Sequence, residues 1–174
     1  MAKVSKHQMR LDERKIIAEL QNNGNQSIDT IAKNCGFSRQ KVWRVIKRLE
    51  DDKAIWGYPA VVDTEKLQVK RYVLLIKKSN KPASNFINVI ISNELQKRVK
   101  SLGVRVEYSG YLNGSFDWMI MFTAEDIRHA KRFVDTFHLL YSDSVSEVVL
   151  LDEIFPVKVL GFPNPNVERL KDFV

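Results

Sequence analysis

Apolar residues change their spacing once along this chain, and that change restricts the folds open to it. Up to residue 53 they recur at intervals of three and four, the period of helices packed on one side; from about residue 55, strand-like runs alternate with helical ones. A domain boundary is expected near residues 51 to 60. In the first part, Leu11, Ile16, Ile17 and Leu20 mark the inner face of a helix that ends at residues 22–25, where Gly24 offers the permissive backbone of a helix exit. Ser27 is placed to cap a short second helix with Ile28, Ile31 and Ala32 inward, and Cys35, Gly36 and Phe37 turn the chain. Ser38 caps a third helix lined by Val42, Val45, Ile46 and Leu49. Three short helices with a glycine turn between the last two form a helix-turn-helix signature.

The remaining two thirds read as strand, helix, strand, strand, helix, strand. Residues 71–78 form a strand apolar on both faces, and Phe86, Ile90, Ile91, Leu95, Val99 and Leu102 recur at helical intervals over 85–102. Residues 104–112 alternate, with Val104, Val106 and Tyr108 on one side, and a turn at Asn113, Gly114 and Ser115 leads into a second strand to make a hairpin. Residues 126–141 place Ile127, Ala130, Val134, Phe137 and Tyr141 on one helix face, and 146–155 make the last strand. The order βαββαβ predicts a ferredoxin-like sandwich, so the fold class is α+β. The expected domains are a helix-turn-helix over 1–53, a linker strand or hinge over 54–71, the ferredoxin-like module over 72–155 and a C-terminal extension over 156–174, whose Pro and Gly content opposes one long helix. In the strand after the hairpin turn, Phe116, Trp118, Ile120 and Phe122 point one way and Met119 and Met121 the other. Two helices cover only one face of a four-stranded sheet, so the second face needs another cover. A second copy of the sheet would supply it, giving a homodimer; the alternative is a tail that folds back.

Charge bears on the partner. The chain carries 28 Lys and Arg against 21 Asp and Glu, a net of +7; residues 1–60 hold 12 and 7, the other 114 residues 16 and 14. The basic character is therefore concentrated in the helical part, which favours a polyanionic partner there. With Val42, Val45, Ile46 and Leu49 inward, the third helix turns Arg39, Gln40, Trp43, Arg44 and Lys47 outward, with Lys41 and Arg48 on the flanks and Ser38 at its start. Guanidinium and amide side chains match base edges in a major groove and lysines hold phosphates, so these eight residues are the expected contacts to double-stranded DNA. The N-terminal turn goes deepest, favouring Arg39, Gln40 and Arg44 for bases and Lys47 and Arg48 for the backbone. Trp43 could pack on a sugar or a thymine methyl, or instead against Trp56 and Tyr58. The competing view of the whole face is a solvated amphipathic helix.

Other classes find little footing. The single cysteine, Cys35, excludes an internal disulfide framework and a four-thiolate zinc site, and fits the small apolar slot of the helical turn in a reducing cytoplasm. No run approaches the roughly 18–20 apolar residues of a membrane span, and residues 1–10 lack the apolar core of a signal peptide. His129 and His138 point to opposite sides of one helix, and Glu125 and His129, one turn apart, lack a third ligand at a telling spacing, so a surface pair is expected rather than a metal site. There is no glycine-rich phosphate loop, and no cofactor or catalytic residue is called for.

The stretch from Leu11 to Tyr58, with its Leu-Asp start, the turn Gly36-Phe37-Ser38, the recognition-type run Val42, Ile46, Leu49 and the ending Ile55-Trp56-Gly57-Tyr58, resembles the N-terminal domain of the Lrp/AsnC regulators, also called leucine-responsive or feast/famine regulators. The βαββαβ part is similar to that family's effector-binding and assembly domain, and residues 113–118 resemble its Gly-x-aromatic-Asp hairpin turn; the likeness covers about residues 11–155. Lys53 stands where the family often has a Gly, and Val45 where it often has an Arg. The resemblance implies a transcriptional regulator that binds DNA as a homodimer, with tetramers or octamers as further assemblies, and a small effector such as an amino acid held near the hairpin. On that likeness Gly114 would present backbone groups to a ligand carboxylate and Asp117 would hold its ammonium, with Asn113 and Ser115 as neighbours; alternatively Gly114 makes a tight turn that Asp117 caps. Sirohaem decarboxylases resemble the family in both domains and supply an enzymatic alternative. They need no basic third helix, which residues 38–49 provide.

Overall fold

A computed structural model describes residues 6–80, 87, 91 and 94–174. Its described residues fall into two compact units, one formed by residues up to Val61 together with Val157–Arg169, the other by Val62–Pro156 with Leu170–Val174.

The first unit holds α1 (Lys6–Asn22), α2 (Ile28–Cys35) and α3 (Arg39–Asp51). Their start and stop signals are local. Ser27 and Ser38 each sit in extended backbone and accept a hydrogen bond from the N–H three residues on, Thr30 and Lys41. Gly36 ends α2 in the left-handed region at φ 69°, where the Phe37 N–H returns to the Ala32 carbonyl at 2.9 Å and the Gly36 N–H to that of Lys33. The end of α3 has the same geometry: Ala54 N–H bonds Leu49 O at 2.9 Å, Lys53 N–H bonds Glu50 O at 3.1 Å, and Lys53, not a glycine, takes φ 57°. Ile16, Ile31, Ala32, Val42, Val45 and Leu49 form the buried core, with Ile17, Leu20, Ile28, Cys35, Phe37, Ile46 and Ile55 packed around it. Gly24 does not adopt positive φ. It is placed for closeness instead, since a Cβ there would meet the Tyr58 ring at 3.3 Å.

Residues 54–69 contain no strand; the segment runs without regular structure to a turn over 64–68, closed by the Gln68 N–H to the Glu65 carbonyl at 3.0 Å and the Val69 N–H to that of Thr64 at 3.1 Å. The second unit consists of β1 (Lys70–Lys78), α4 (Glu94–Val99), β2 (Arg105–Tyr111), β3 (Trp118–Ala124), α5 (Ile127–Tyr141) and β4 (Val145–Asp152). The antiparallel sheet runs β2-β3-β1-β4, the strand order of a ferredoxin-like sandwich. Of the helix expected over 85–102, Leu95, Val99 and Leu102 pack on the core, while Phe86 and Ile90 lie outside the described residues. The inner face of the sheet presents Tyr72, Leu74, Ile76, Trp118, Ile120 and Phe122 to Ala130, Phe133, Phe137 and Tyr141 of α5. Phe122 and Phe133 meet with ring centroids 4.4 Å apart, and Phe137 and Tyr141 at 4.6 Å. The α5 stripe is rotated from the expected one: Phe133 is fully buried and Ile127 is exposed.

The outer face carries Val73 and Leu75 from β1, Met119 and Met121 from β3, and Val149 and Leu151 from β4, in directly opposed pairs such as Val73 with Leu151 and Leu75 with Met119. Tyr108 joins this face, contrary to the expectation from simple alternation. A β-bulge between Val106 and Tyr108 inserts Glu107, so Val106 opposes Phe122 inside while Tyr108 opposes Met121 outside. The Tyr108 ring lies over Gly110, where a Cβ would fall on it. At one end of the face Arg71, 6% exposed, donates to Glu107 and to Glu153, each at 2.8 Å. Burial works against its charge, and the bonds to those carboxylates outweigh it and raise its pKa. After β4 the chain makes the short hairpin β5 (Lys158–Val159) and β6 (Phe162–Pro163), then a 3₁₀ turn over Val167–Phe173, consistent with its Pro and Gly content.

Candidate nucleic-acid interface and effector hairpin

The outward side of α3 carries the charge the sequence placed there. Arg39, Gln40, Trp43, Arg44 and Lys47 are exposed, whereas Lys41 and Arg48 are partly covered. Arg44 is folded along its own helix, its Nε donating to the Gln40 carbonyl at 3.4 Å, and Arg39 lies 3.3 Å from Asp29 with both side chains open to solvent. An exposed pair of that kind is loosely held and can be exchanged for another anion.

The flanking cations have a second task. Lys41 Nζ donates to Asp12 at 2.7 Å and sits 3.8 Å above the Phe37 ring, and Arg48 is bonded to Glu13. Asp12 is nearly fully buried. These contacts fasten α3 to α1 through the Leu-Asp-Glu start of the helical motif, a fact helix-face counting overlooks because the acids lie 29 and 35 residues earlier. Ser38 spends its hydroxyl as the N-cap.

Trp43 is 51% exposed, with the Lys47 ammonium 5.2 Å from its ring centroid. It does not pack against Trp56, which is 95% exposed and donates its indole N–H to the Lys53 carbonyl at 2.7 Å. Trp56 and Tyr58, with Glu50, Lys53, Ile55 and Gly57, wall an open groove at the C-terminal end of α3. Tyr58 donates to Glu50 at 2.8 Å, and burial first, then that bond and the Glu50 charge, push its hydroxyl up to about 12.

In the second unit, the turn residues Asn113, Gly114 and Ser115 are exposed, with open space around the Gly114 Cα. Asp117 is partly buried and tied to the sheet: Oδ2 accepts the Lys78 N–H at 2.8 Å, its own N–H donates to Ile76 O at 2.9 Å, and its carbonyl accepts the Leu112 N–H at 2.6 Å. The carboxylate thus pins the β2–β3 hairpin to the end of β1. Elsewhere, Asp126 caps α5 by accepting the N–H groups of Arg128 and His129. The bond from the His129 N–H, followed by those from the Arg128 and His129 side chains, holds its carboxyl far below the usual range. His129 stands 2.8 Å from Asp126 and 3.8 Å from Glu125, a surface cluster. Among the described residues no group of three or more His, Cys, Asp or Glu could hold a metal ion, and no helix is long and apolar enough to cross a membrane.

Residues 13–55 match the family described as winged helix-turn-helix DNA-binding. By structure, the chain is similar to an AsnC family transcriptional regulator from Agrobacterium tumefaciens (20% identity, 85% of this chain and 92% of that one, TM-score 0.63). It is similar also to LrpC of B. subtilis (17%, 90% and 99%, TM-score 0.59). A third likeness is to a transcriptional regulator of Neisseria meningitidis in complex with L-methionine (18%, 94% and 98%, TM-score 0.63). No curated protein matches the chain by sequence. The fold is that of the AsnC and Lrp regulators, a helix-turn-helix followed by an α+β module.

Proposed function

We propose that this protein is a sequence-specific DNA-binding transcriptional regulator of the Lrp/AsnC type, acting as a homodimer and responding to a small effector such as an amino acid. The observation that carries the reading is the solvent-facing side of α3, where Arg39, Gln40, Trp43, Arg44 and Lys47 stand together within a three-helix frame that matches a DNA-binding family. Arg39, Gln40 and Arg44 address base edges and Lys47 the phosphates. Lys41 and Arg48 reach the backbone from the flanks while remaining tethered to α1, and Ser38 sets the helix start. Dimerisation uses the outer sheet face, on which Val73, Leu75, Met119, Met121, Val149 and Leu151 are apolar and only partly covered. Two copies related by a two-fold axis would offer two reading helices to major grooves about 34 Å apart on a pseudo-palindromic site. The effector reading rests on Gly114, which leaves room for a ligand beside the backbone, and on Asp117, with Asn113 and Ser115 as neighbours. The regulator from Neisseria meningitidis with L-methionine makes that amino acid the first to try.

Selecting bound duplexes from a random pool tests the main claim. A shared motif should emerge, with affinity falling steeply as salt rises, by about 0.9 in log-log slope per phosphate neutralised. Arg44→Ala should weaken the selected site by roughly 1–3 kcal/mol and random duplex much less. Absence of duplex binding at low ionic strength would refute the reading. Calorimetry with methionine and the other amino acids, repeated on Asp117→Ala, tests the effector separately.

A further inference from the structure

Trp43 has no place in the core of its own unit, and this sets it apart from Phe37, the aromatic residue just before α3, which packs on that core. Its position on the helix is central to the outward face: Arg39 lies one turn before it and Lys47 one turn after, with Gln40 and Arg44 beside it. Residues in the middle of such a face meet the floor of a groove, and those at the flanks meet the backbone. Lys47 covers one side of the indole and steadies its orientation. The remaining ring face is flat and apolar, with the one polar group, the indole N–H, at the ring edge, so that face is poorly matched to polar base edges. The major-groove floor offers one apolar group, the C5 methyl of a pyrimidine.

We infer that Trp43 is a specificity-determining residue that reads a pyrimidine C5 methyl in each half-site. The inference rests on the DNA-binding reading above and adds to it a defined chemical group on the DNA. Thymine and 5-methylcytosine both present that group, so the preference is for a methylated pyrimidine ring rather than for one base pair.

The test takes the duplex selected by the full chain and replaces each thymine in turn by deoxyuridine, which removes the methyl and leaves base pairing intact. Affinity is measured by fluorescence anisotropy for the unsubstituted protein, Trp43→Phe and Trp43→Ala. At one position per half-site, loss of the methyl should weaken the unsubstituted protein about fourfold, the value of burying one such group. Trp43→Phe, which keeps an apolar plane, should retain that sensitivity, and Trp43→Ala should lose it. Placing cytosine there should weaken binding, and 5-methylcytosine should bind about fourfold more tightly than cytosine; no gain from that methyl would overturn the inference. If every deoxyuridine duplex binds as the thymine duplex does, or if Trp43→Ala shows the same methyl dependence, the inference is overturned while DNA binding stands. A protein that binds no duplex overturns the functional reading itself. Unchanged thermal midpoints in the two variants show that the half-exposed indole was removed without unfolding the unit.

Discussion

Replacing Lys53 by glycine is expected to stabilise the helical unit. Lys53 ends α3 at φ 57°, in the region where the Cβ of an L-residue crowds the following carbonyl, and the hydrogen bonds from its own N–H and that of Ala54 hold it there. A side-chain-bearing residue in that conformation is about 1–2 kcal/mol above its ordinary alternatives. Glycine escapes that cost but loses about 0.5–1 kcal/mol more backbone entropy on folding. The difference favours glycine by about 0.5–1 kcal/mol, or an increase of a few degrees in the melting temperature of a unit of this size. The assay is urea unfolding of the full chain followed by far-UV circular dichroism, with Gly36→Ala as the opposite case, since Gly36 occupies the same site at the end of α2. Lys53→Asn should gain part of the stabilisation, and Lys53→Val should lose stability, because a branched Cβ fits left-handed backbone worst. The reasoning is refuted if Lys53→Gly lowers the midpoint while Gly36→Ala also lowers it, for the two ends would then not share one conformational cost.

Asp12→Ala should destabilise the helical unit by about 1–3 kcal/mol in chemical denaturation, below the range for a fully buried pair because Lys41 is about one-third exposed and can turn to water. The loss should exceed that of Asp29→Ala, whose pair with Arg39 is exposed. Stability should fall as pH rises from about 10 to 12: Tyr58 and Tyr141 are both pushed up to about 12, so the unfolded chain releases protons there that the folded chain retains. Below pH 10 these groups are protonated in both states and contribute no slope, and Tyr58→Phe with Tyr141→Phe should flatten the alkaline decline measured by thermal melts. Gly110→Val should swing the Tyr108 ring off the strand and weaken self-association in sedimentation equilibrium, with less effect on the melting of the sheet unit.

The helical unit was largely legible from its sequence because its determinants lie within a turn of one another. Ser27 and Ser38 cap where their positions suggested, and Val42, Val45 and Leu49 are buried as their spacing required. The same periodicity turned Arg39, Gln40, Trp43, Arg44 and Lys47 outward, so the composition of the candidate interface could be read from one helix. What spacing could not supply was the partner of each side chain. Lys41 and Arg48 share that basic surface in a helical projection, yet their counterions come from α1. Asp117 has its hydrogen-bond donor 39 residues away on β1. Strict alternation put Tyr108 inside, and the left-handed backbone at Lys53 had no glycine to announce it. The rotated stripe of α5, with Phe133 rather than Ile127 buried, reflects competition among several apolar residues for one sheet surface, which only packing decides.

Glu107 shows how far one added residue can reach. It acts as a phase shift in β2, so every residue beyond it has the opposite sidedness to the one it would have had, and the same residue supplies Arg71 with an anion. Deleting it would leave a regular ladder in which the Tyr108 phenol keeps its outward place opposite Met121, but would remove one of the two carboxylates that hold the Arg71 guanidinium. A single-residue insertion or deletion elsewhere in the strand would instead exchange the two faces beyond it, so such indels should be far less tolerated than substitutions.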